Sequence, residues 1–310
     1  MLTKKIIGLI SLALLIIRID LTGQDQEITA TWLSGAPTTY GEYSHYGKKG
    51  VTSRDNLPGG RHSSVTWSTQ NGDLYLFGGV GFAFDINGFL NDLWKWDGMN
   101  WTWISGSNQA SQAGNHGTKG VASTDNVPGG REDAVSWVGA NGELYLFGGR
   151  GTDSNGDQGV FNDLWKWDGE NWTWINGSST VNQSGVFGTK GVPDPSNVPS
   201  AREGAITWFT PDGNFYLFGG GSLNDLWRWD GENWTWLSGY RDGHRTGTYG
   251  TLGEPAATNI PGSRTEAVSW VTPNGDLYLF GGDGWDSIDF GLLNDLWKWD
   301  GENWTWVSGS

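Results

Sequence analysis

The chain has 310 residues, including 51 Gly and 22 Trp but no Cys, and its formal net charge is −15. Without cysteine it can form neither disulfides nor thiolate metal sites, and it offers no Cys nucleophile. The negative charge disfavours nucleic acids and anionic membranes as partners, whereas Ca²⁺ or cationic partners are better tolerated.

Residues 1–23 differ in character from the rest of the chain. Lys4 and Lys5 precede a largely apolar run of twelve residues, 6–17. This run is too short to span a bilayer and is typical of the core of a secretory signal peptide. We therefore expect cleavage after Gly23, export to the periplasm, the cell surface or the medium, and no membrane insertion of the mature chain. An uncleaved N-terminal anchor is the alternative.

A second feature precedes the main repeat. Residues 31–35, TWLSG, match residues 102–106, TWISG, which end the first full repeat. Within the predicted N-terminal segment 24–59, they predict one extra strand. This strand is either an added edge on a closed four-unit ring, or a sign that the chain is a fragment or open array of a larger one. The second interpretation is the one we favour.

One sequence motif then occurs four times between residues 60 and 310. It contains an Arg, a strand pattern ending in LYLFGG or FYLFGG, the block NDLW, and a closing strand rich in Trp. The NDLW blocks begin at Asn91, Asn162, Asn224 and Asn294. Such a regular repeat predicts that each unit buries its apolar faces against its neighbours.

The second unit illustrates the predicted strands. Residues 131–138 and 143–147 read as two strands joined by a tight turn at Asn141-Gly142. Residues 162–167 and 172–175 read as a second pair, joined by the four-residue loop 168–171. That loop places Trp167 opposite Trp172 and Trp165 opposite Trp174, so that the four indoles share one face. Leu164, Lys166, Thr173 and Ile175 occupy the other face.

LYLFGG followed by NDLWKWD and a closing Trp strand resembles the kelch repeat, in which each unit is a four-stranded blade of a β-propeller. The resemblance implies an all-β propeller with blades at 60–106, 130–177, 201–239 and 263–310. The units are longer than the usual kelch repeat of about 50 residues. The surplus lies between blades, and in this the chain resembles the long-linker kelch proteins that bacteria secrete.

The connections between strands predict where a ligand binds. Turns between strands one and two and between strands three and four are short and uniform. Between the double Gly and NDLW, in contrast, lie eleven, twelve, three and eleven residues in the four units. Because binding residues concentrate on variable loops above a rigid scaffold, we expect the ligand on the face that carries these loops.

Candidate binding residues on this face are those that break the repeat. Trp285 is one of two Trp outside the pattern of five per unit. Its flat indole predicts a sugar-stacking platform, and packing within the loop is the alternative. The full set of candidates is His62, Asp133, Glu266, Phe82, Phe84, Trp285, Asp286 and Asp289.

Two further sets have a structural and a functional interpretation. Asp153, Asn155 and Asp157 alternate like Ca²⁺ ligands, although a polar loop with no metal is the favoured interpretation. Four repeated arginines either form a polar mouth for an anionic ligand or pair with carboxylates and carbonyls inside each blade. Their presence in every unit favours the structural role. These arginines are Arg61, Arg131, Arg202 and Arg264.

The kelch resemblance also implies that the nearest enzymatic relatives are copper oxidases of the galactose oxidase type, which use a Cys–Tyr crosslink and His ligands. This chain has no Cys and only four His. His116 stands where the other linkers carry Tyr46, Phe187 and Tyr249, so it needs no role as a ligand. We therefore expect no enzyme of that type and no cofactor, and we predict a secreted or surface-exposed propeller that binds a glycan or protein. A carbohydrate-active hydrolase or lyase using acidic residues is the alternative.

Overall fold

The computed structural model describes residues 4–10, 13–19, 29–35, 42–84 and 86–310, with side chains described for 33–35, 42–84 and 86–310. The chain divides into two compact units. The first comprises Met1–Gln112 with Gly130–Glu132, and the second comprises Ala113–Gly129 with Asp133–Ser310. Regular secondary structure in the described residues is entirely β.

The first three strands form an antiparallel sheet of their own. They are Lys4–Ile10, Ala13–Ile19 and Thr29–Trp32. The predicted cleavage point after Gly23 lies outside the described residues, so the signal peptide stays a prediction. Among the residues that the structure describes, no helix is long and apolar enough to cross a membrane.

The first unit contains one blade and a small additional sheet. The blade is an antiparallel meander of Val65–Ser68, Leu74–Phe77, Leu93–Trp96 and Trp101–Ser105. The small sheet consists of Arg61–His62, Val80–Phe82 and Asn87–Phe89. Arg131–Glu132, a two-residue strand, also belongs to this unit.

The second unit contains three blades with the same strand order. The second blade is Val135–Val138, Leu144–Phe147, Leu164–Trp167 and Trp172–Asn176, with a side hairpin of Arg150–Thr152 and Gln158–Val160. The third blade is Ile206–Phe209, Phe215–Phe218, Leu226–Trp229 and Trp234–Ser238. The fourth blade is Val268–Val271, Leu277–Trp285, Phe290–Trp299 and Trp304–Ser308, and the short strand Arg264–Thr265 pairs with the extension of its second strand.

These strands confirm the predicted all-β class and the four four-stranded blades. The predicted register of the closing hairpin is also correct, since Trp165 pairs with Trp174 and Trp167 with Trp172. On the opposite face, Ile175 packs against the cluster that contains Leu164, as predicted, but one residue departs from regular pairing. Leu164 pairs with Asn176, so Ile175 is the extra residue of a β-bulge.

The first predicted strand of the second sequence repeat is also interrupted. It was expected to run over 131–138, but it divides into Arg131–Glu132 and Val135–Val138. Asp133 lies between them with a φ of 49°, a left-handed conformation that a continuous strand does not contain. A corner therefore stands at the beginning of the blade instead of a straight strand.

Neighbouring blades in the second unit pack through aromatic and leucine side chains. Trp137 and Phe147 of the second blade lie against Phe215, Leu217 and Trp234 of the third. The rings of Trp137 and Phe215 stack with centroids 3.7 Å apart. The third blade meets the fourth in the same way. Since each indole hides roughly 150–250 Å², these junctions supply much of the buried apolar surface.

Candidate ligand-binding site

The connection between strands two and three differs most from blade to blade. In the fourth blade the two strands continue as a ribbon, with Trp285 paired to Phe290 at its outer end. In the third blade the same connection is a tight turn over residues 221–223. The ribbon of the fourth blade is therefore an addition to the scaffold and is not needed to close the blade.

The tip of this ribbon combines acidic and apolar side chains. The Asp286 carboxylate accepts hydrogen bonds from the backbone N–H groups of Ile288 and Asp289, which fixes the turn. Trp285 and Phe290 meet edge to face with ring centroids 5.6 Å apart. Phe290 is 54% exposed and Ile288 is 83% exposed. The tip thus holds a half-buried Trp285 against an exposed Phe290, with Asp286 and Asp289 beside them.

A row of left-handed corners lies at the base of the second unit's blades. Asp133, Gly204 and Glu266 occupy the same position, two residues after the repeated Arg, and all have positive φ. The Gly204 N–H donates to the Asp133 carbonyl at 3.1 Å, and the Glu266 N–H approaches the Gly204 carbonyl at 3.5 Å. The backbone thereby links three successive blades, and Asp133 and Glu266 lie exposed at the two ends of this row.

Glu266 and Trp285 lie at opposite ends of the ribbon of the fourth blade. Thr265 pairs with Asp283, which places Glu266 level with Gly282 at the base of the ribbon, three residues before Trp285. Three residues of strand span roughly 10 Å. The structure therefore brings together three of the predicted site residues, Trp285, Asp286 and Asp289, at the ribbon tip, while Glu266 lies at the base and is linked to Asp133 through Gly204.

The remaining candidates lie in the first unit. His62 pairs with Val80 in the small sheet, and its Nδ1 lies 4.0 Å from the Glu132 carboxylate. His62 is one residue before the corner position, which Ser63 occupies here with a φ of 53°. Phe82 packs edge to face on Tyr43 at 5.3 Å, and Phe84 is 63% exposed. His62 thus lies one residue before the position that Asp133 and Glu266 occupy in their blades.

The suggested Ca²⁺ loop has a different organisation. Asp153 is buried, and its Oδ1 accepts hydrogen bonds from the backbone N–H groups of Asn155 and Asp157. Its Oδ2 accepts a third from Val181. Both carboxylate oxygens are therefore occupied by backbone donors, while Asn155 and Asp157 point into solvent. This geometry is that of a polar Asx loop, and it does not support Ca²⁺ binding. In the described part of the chain, no group of three or more acidic or histidine side chains is arranged to hold a metal.

The repeated arginines lie inside the blades and not at a ligand-accessible mouth. Each of three guanidinium groups donates two hydrogen bonds to the Asp of its NDLW block: Arg61 to Asp92, Arg202 to Asp225 and Arg264 to Asp295. Nη1 of the same arginines also donates to the carbonyl of the first Gly of the double Gly. Arg131 is likewise buried. These contacts support the structural interpretation of the set.

The aspartate of each such pair also accepts hydrogen bonds from other side chains. Asp295 accepts from the Trp297 indole at 2.7 Å and from the Tyr249 hydroxyl at 2.6 Å. Burial alone would raise the pKa of Asp295, but the hydrogen bonds and charge of Arg264 outweigh it and hold this pKa below its ordinary value. Burial, followed by the hydrogen bond to Asp295, raises the pKa of Tyr249 well above its usual range. Each NDLW aspartate is therefore a hydrogen-bonding hub inside its blade.

The sequence identified the repeated arginines and the NDLW block, but it did not predict that each Arg pairs with the Asp of NDLW. Linker residues add further contacts to each blade. The Asn126 side-chain amide donates to the Val121 carbonyl and to the Trp172 carbonyl of the outer strand. Asn197 and Asn259 make the same contacts in their blades. The signal that could have identified these residues is their presence in every copy of the linker.

His116 takes the place that Tyr46 and Tyr249 hold at the hubs of the first and fourth blades. Its Nε2 lies 3.1 Å from Asp163 Oδ2, while its Nδ1 is buried with no hydrogen-bond partner. We expect His116→Tyr to raise the free energy of unfolding by about 1 kcal/mol, because it removes an unsatisfied buried nitrogen. The reciprocal change, Tyr249→His, should lower it by a similar amount. Urea unfolding of both variants measures this, and shifts of the same sign would contradict the explanation.

Comparison with known proteins gives the fold class. No family model matches the chain, and no curated protein matches it either. The solved structure of YjhT, a propeller protein, is similar over 99% of this chain and 84% of its own, with a TM-score of 0.54 and 14% identity. A fungal alcohol oxidase of the AA5 family, solved in complex with copper, is similar over 81% of this chain and 54% of its own, with a TM-score of 0.39 and 12% identity. The likeness to YjhT, together with the four blades, shows a β-propeller fold.

Proposed function

We propose that the chain is a kelch-type propeller, exported from the cell, that binds a glycan through the ribbon of its fourth blade. The observation that carries this proposal is the pair of half-buried Trp285 and exposed Phe290, fixed by the Asp286 turn and flanked by Asp289. An aromatic face covers the apolar face of a sugar ring, and neighbouring carboxylates accept hydrogen bonds from its hydroxyl groups.

The rigidity of the ribbon supports a binding role. Its two strands continue directly from the blade, so the aromatic pair stands on a paired sheet and not on a free loop. A platform that is already ordered loses little conformational entropy when a ligand binds. Ile288 and Leu292, which are 83% and 91% exposed, favour a protein partner as the second candidate ligand.

A glycan array followed by titration calorimetry tests the proposal. We expect Trp285→Ala to weaken binding of the best saccharide about tenfold, which corresponds to about 1.4 kcal/mol. Trp270→Ala is the matched control, because it also removes a partly exposed indole but from the face of the blade. That control should bind as the unaltered chain does.

A second variant replaces the ribbon as a whole. Exchanging residues 283–293 for the tight turn of the third blade, residues 221–223, should abolish saccharide binding while the blade stays folded. Equal binding by the unaltered chain and by both ribbon variants would overturn the proposal. Cleavage of the bound saccharide would instead favour the carbohydrate-active enzyme that the acidic residues also suggest.

A further inference from the structure

One face of the fourth blade is exposed although it repeats a face that is buried in the other blades. Val268 is 61% exposed, and Trp270 and Phe280 are each 42% exposed. Their counterparts in the third blade, Ile206, Trp208 and Phe218, are 3%, 3% and 0% exposed. Because the residues of each pair occupy the same position in the repeat, the difference in exposure comes from whether another sheet covers the face.

The covered copies show what such a face binds. In the junction between the third and fourth blades, Trp208 and Phe218 pack against the Leu277–Leu279 strand and the indole of Trp304. The Phe218 and Trp304 rings lie 5.4 Å apart, and the Trp208 indole N–H donates to the Tyr278 carbonyl at 2.8 Å. The occupant is therefore a sheet with a Leu-x-Leu strand, an inward indole and a backbone carbonyl that accepts an indole N–H.

The exposed face is already arranged for the same contacts. Trp270 stacks on Tyr278 with centroids 5.3 Å apart and an interplanar angle of 8°. Trp137 and Tyr145, at the covered face of the second blade, stack at 5.0 Å and 6°. The three exposed side chains leave roughly 300 Å² in contact with solvent, the size at which apolar patches mark interaction sites.

A second copy of the chain has no suitable sheet to offer. The complementary Leu and Trp faces of its own blades are buried, as Leu217, Trp227, Leu279 and Trp297 show with 0% exposure. Leu76 and Leu146, at the same position in the other two blades, are 7% and 0% exposed. The occupant must therefore be a sheet other than the four blades of this chain.

We propose that the Val268–Trp270–Phe280 face docks a further four-stranded sheet of the same repeat type, placed against it as the fourth blade is placed against the third. The backbone at the end of the fourth blade has the same hydrogen bond as the backbone at the end of the second. The Ser310 N–H donates to Asn294 Oδ1, just as the Ser178 N–H donates to Asn162 Oδ1 where the chain leaves the second blade for the next linker.

The test extends the full chain by one repeat. Residues 179–239 are appended after Ser310, and oxidation of Trp270 by hydroxyl radicals is followed by mass spectrometry. We expect the oxidation rate to fall roughly sevenfold, the ratio of the exposed fractions of Trp270 (42%) and Trp137 (6%). Trp137 serves as the internal reference for a covered indole.

Val268→Lys supplies the matched control. Since Val268 is exposed, the change should leave the unfolding midpoint of the original chain unaltered, yet keep Trp270 reactive in the extended chain. A second extension, with residues 108–177 appended, guards against an added repeat that cannot fold. Undiminished Trp270 oxidation in both extensions overturns the proposal. So does sedimentation of the original chain as a dimer with Trp270 protected, which would make a second copy the occupant.

Discussion

Asp295→Asn should lower the free energy of unfolding by about 3–5 kcal/mol at pH 7, the cost of leaving one member of a buried ion pair uncompensated. Arg264 and Asp295 have fully buried side chains and lie 2.6 Å apart. The same change weakens the hydrogen bonds from Tyr249 and Trp297 to the carboxylate. Urea unfolding, read as the shift in midpoint at constant slope, measures the loss.

The effect should depend on pH in one direction. Because the pKa of Asp295 is lower in the folded state, its contribution is complete above its unfolded pKa of about 4 and disappears as the pH falls through the folded value. The difference between Asp295→Asn and the unaltered chain should thus be largest at neutral pH and shrink in acid.

Asp276→Asn is the control for this prediction. Asp276 lies 3.6 Å from Lys298 in a pair whose side chains are 27% and 29% exposed. A partly exposed pair of this kind contributes at most about 1 kcal/mol. If both variants lost equally little stability, the NDLW aspartates would not be the hubs that their contacts indicate.

The strands were readable from the sequence because their signals are local. The pairing of Trp165 with Trp174 follows from the length of one hairpin loop, and four copies of that loop repeat the evidence. The bulge at Ile175 leaves no such signal, because it depends on how the end of the outer strand meets Leu164 and Asn176. Regular pairing was therefore predictable, whereas the local departure from it was not.

The candidate site was predictable in part for the same reason. Trp285 was identified because it breaks the repeat, and the structure places it with Asp286, Asp289 and Phe290 on one ribbon. The corner position was hidden, because Ser63, Asp133, Gly204 and Glu266 share a positive φ but no side-chain chemistry. His62 was grouped with the corner residues although it lies one residue away. Backbone conformation, which single residue types report poorly, separates the two positions.

Trp208→Ala should lower the free energy of unfolding by about 3–5 kcal/mol, the range for truncating a buried indole. Trp208 is 3% exposed at the junction of the third and fourth blades, and its indole N–H has the Tyr278 carbonyl as acceptor. Removing the ring leaves a cavity between two sheets and an unsatisfied carbonyl. Differential unfolding by urea, with Trp270→Ala in parallel, measures the effect.

Trp270→Ala changes the same repeat position in a different environment. Since Trp270 is 42% exposed and contacts Tyr278 on one side only, its truncation should cost less than about 2 kcal/mol. The sequence alone predicts an equal loss of unfolding free energy for Trp208→Ala and Trp270→Ala, because the two residues occupy the same position in the repeat. A clear difference would attribute the stability of each junction to the sheet that covers it. Equal losses would show that the face of the fourth blade is covered in solution, and the variant would then report on that contact as well.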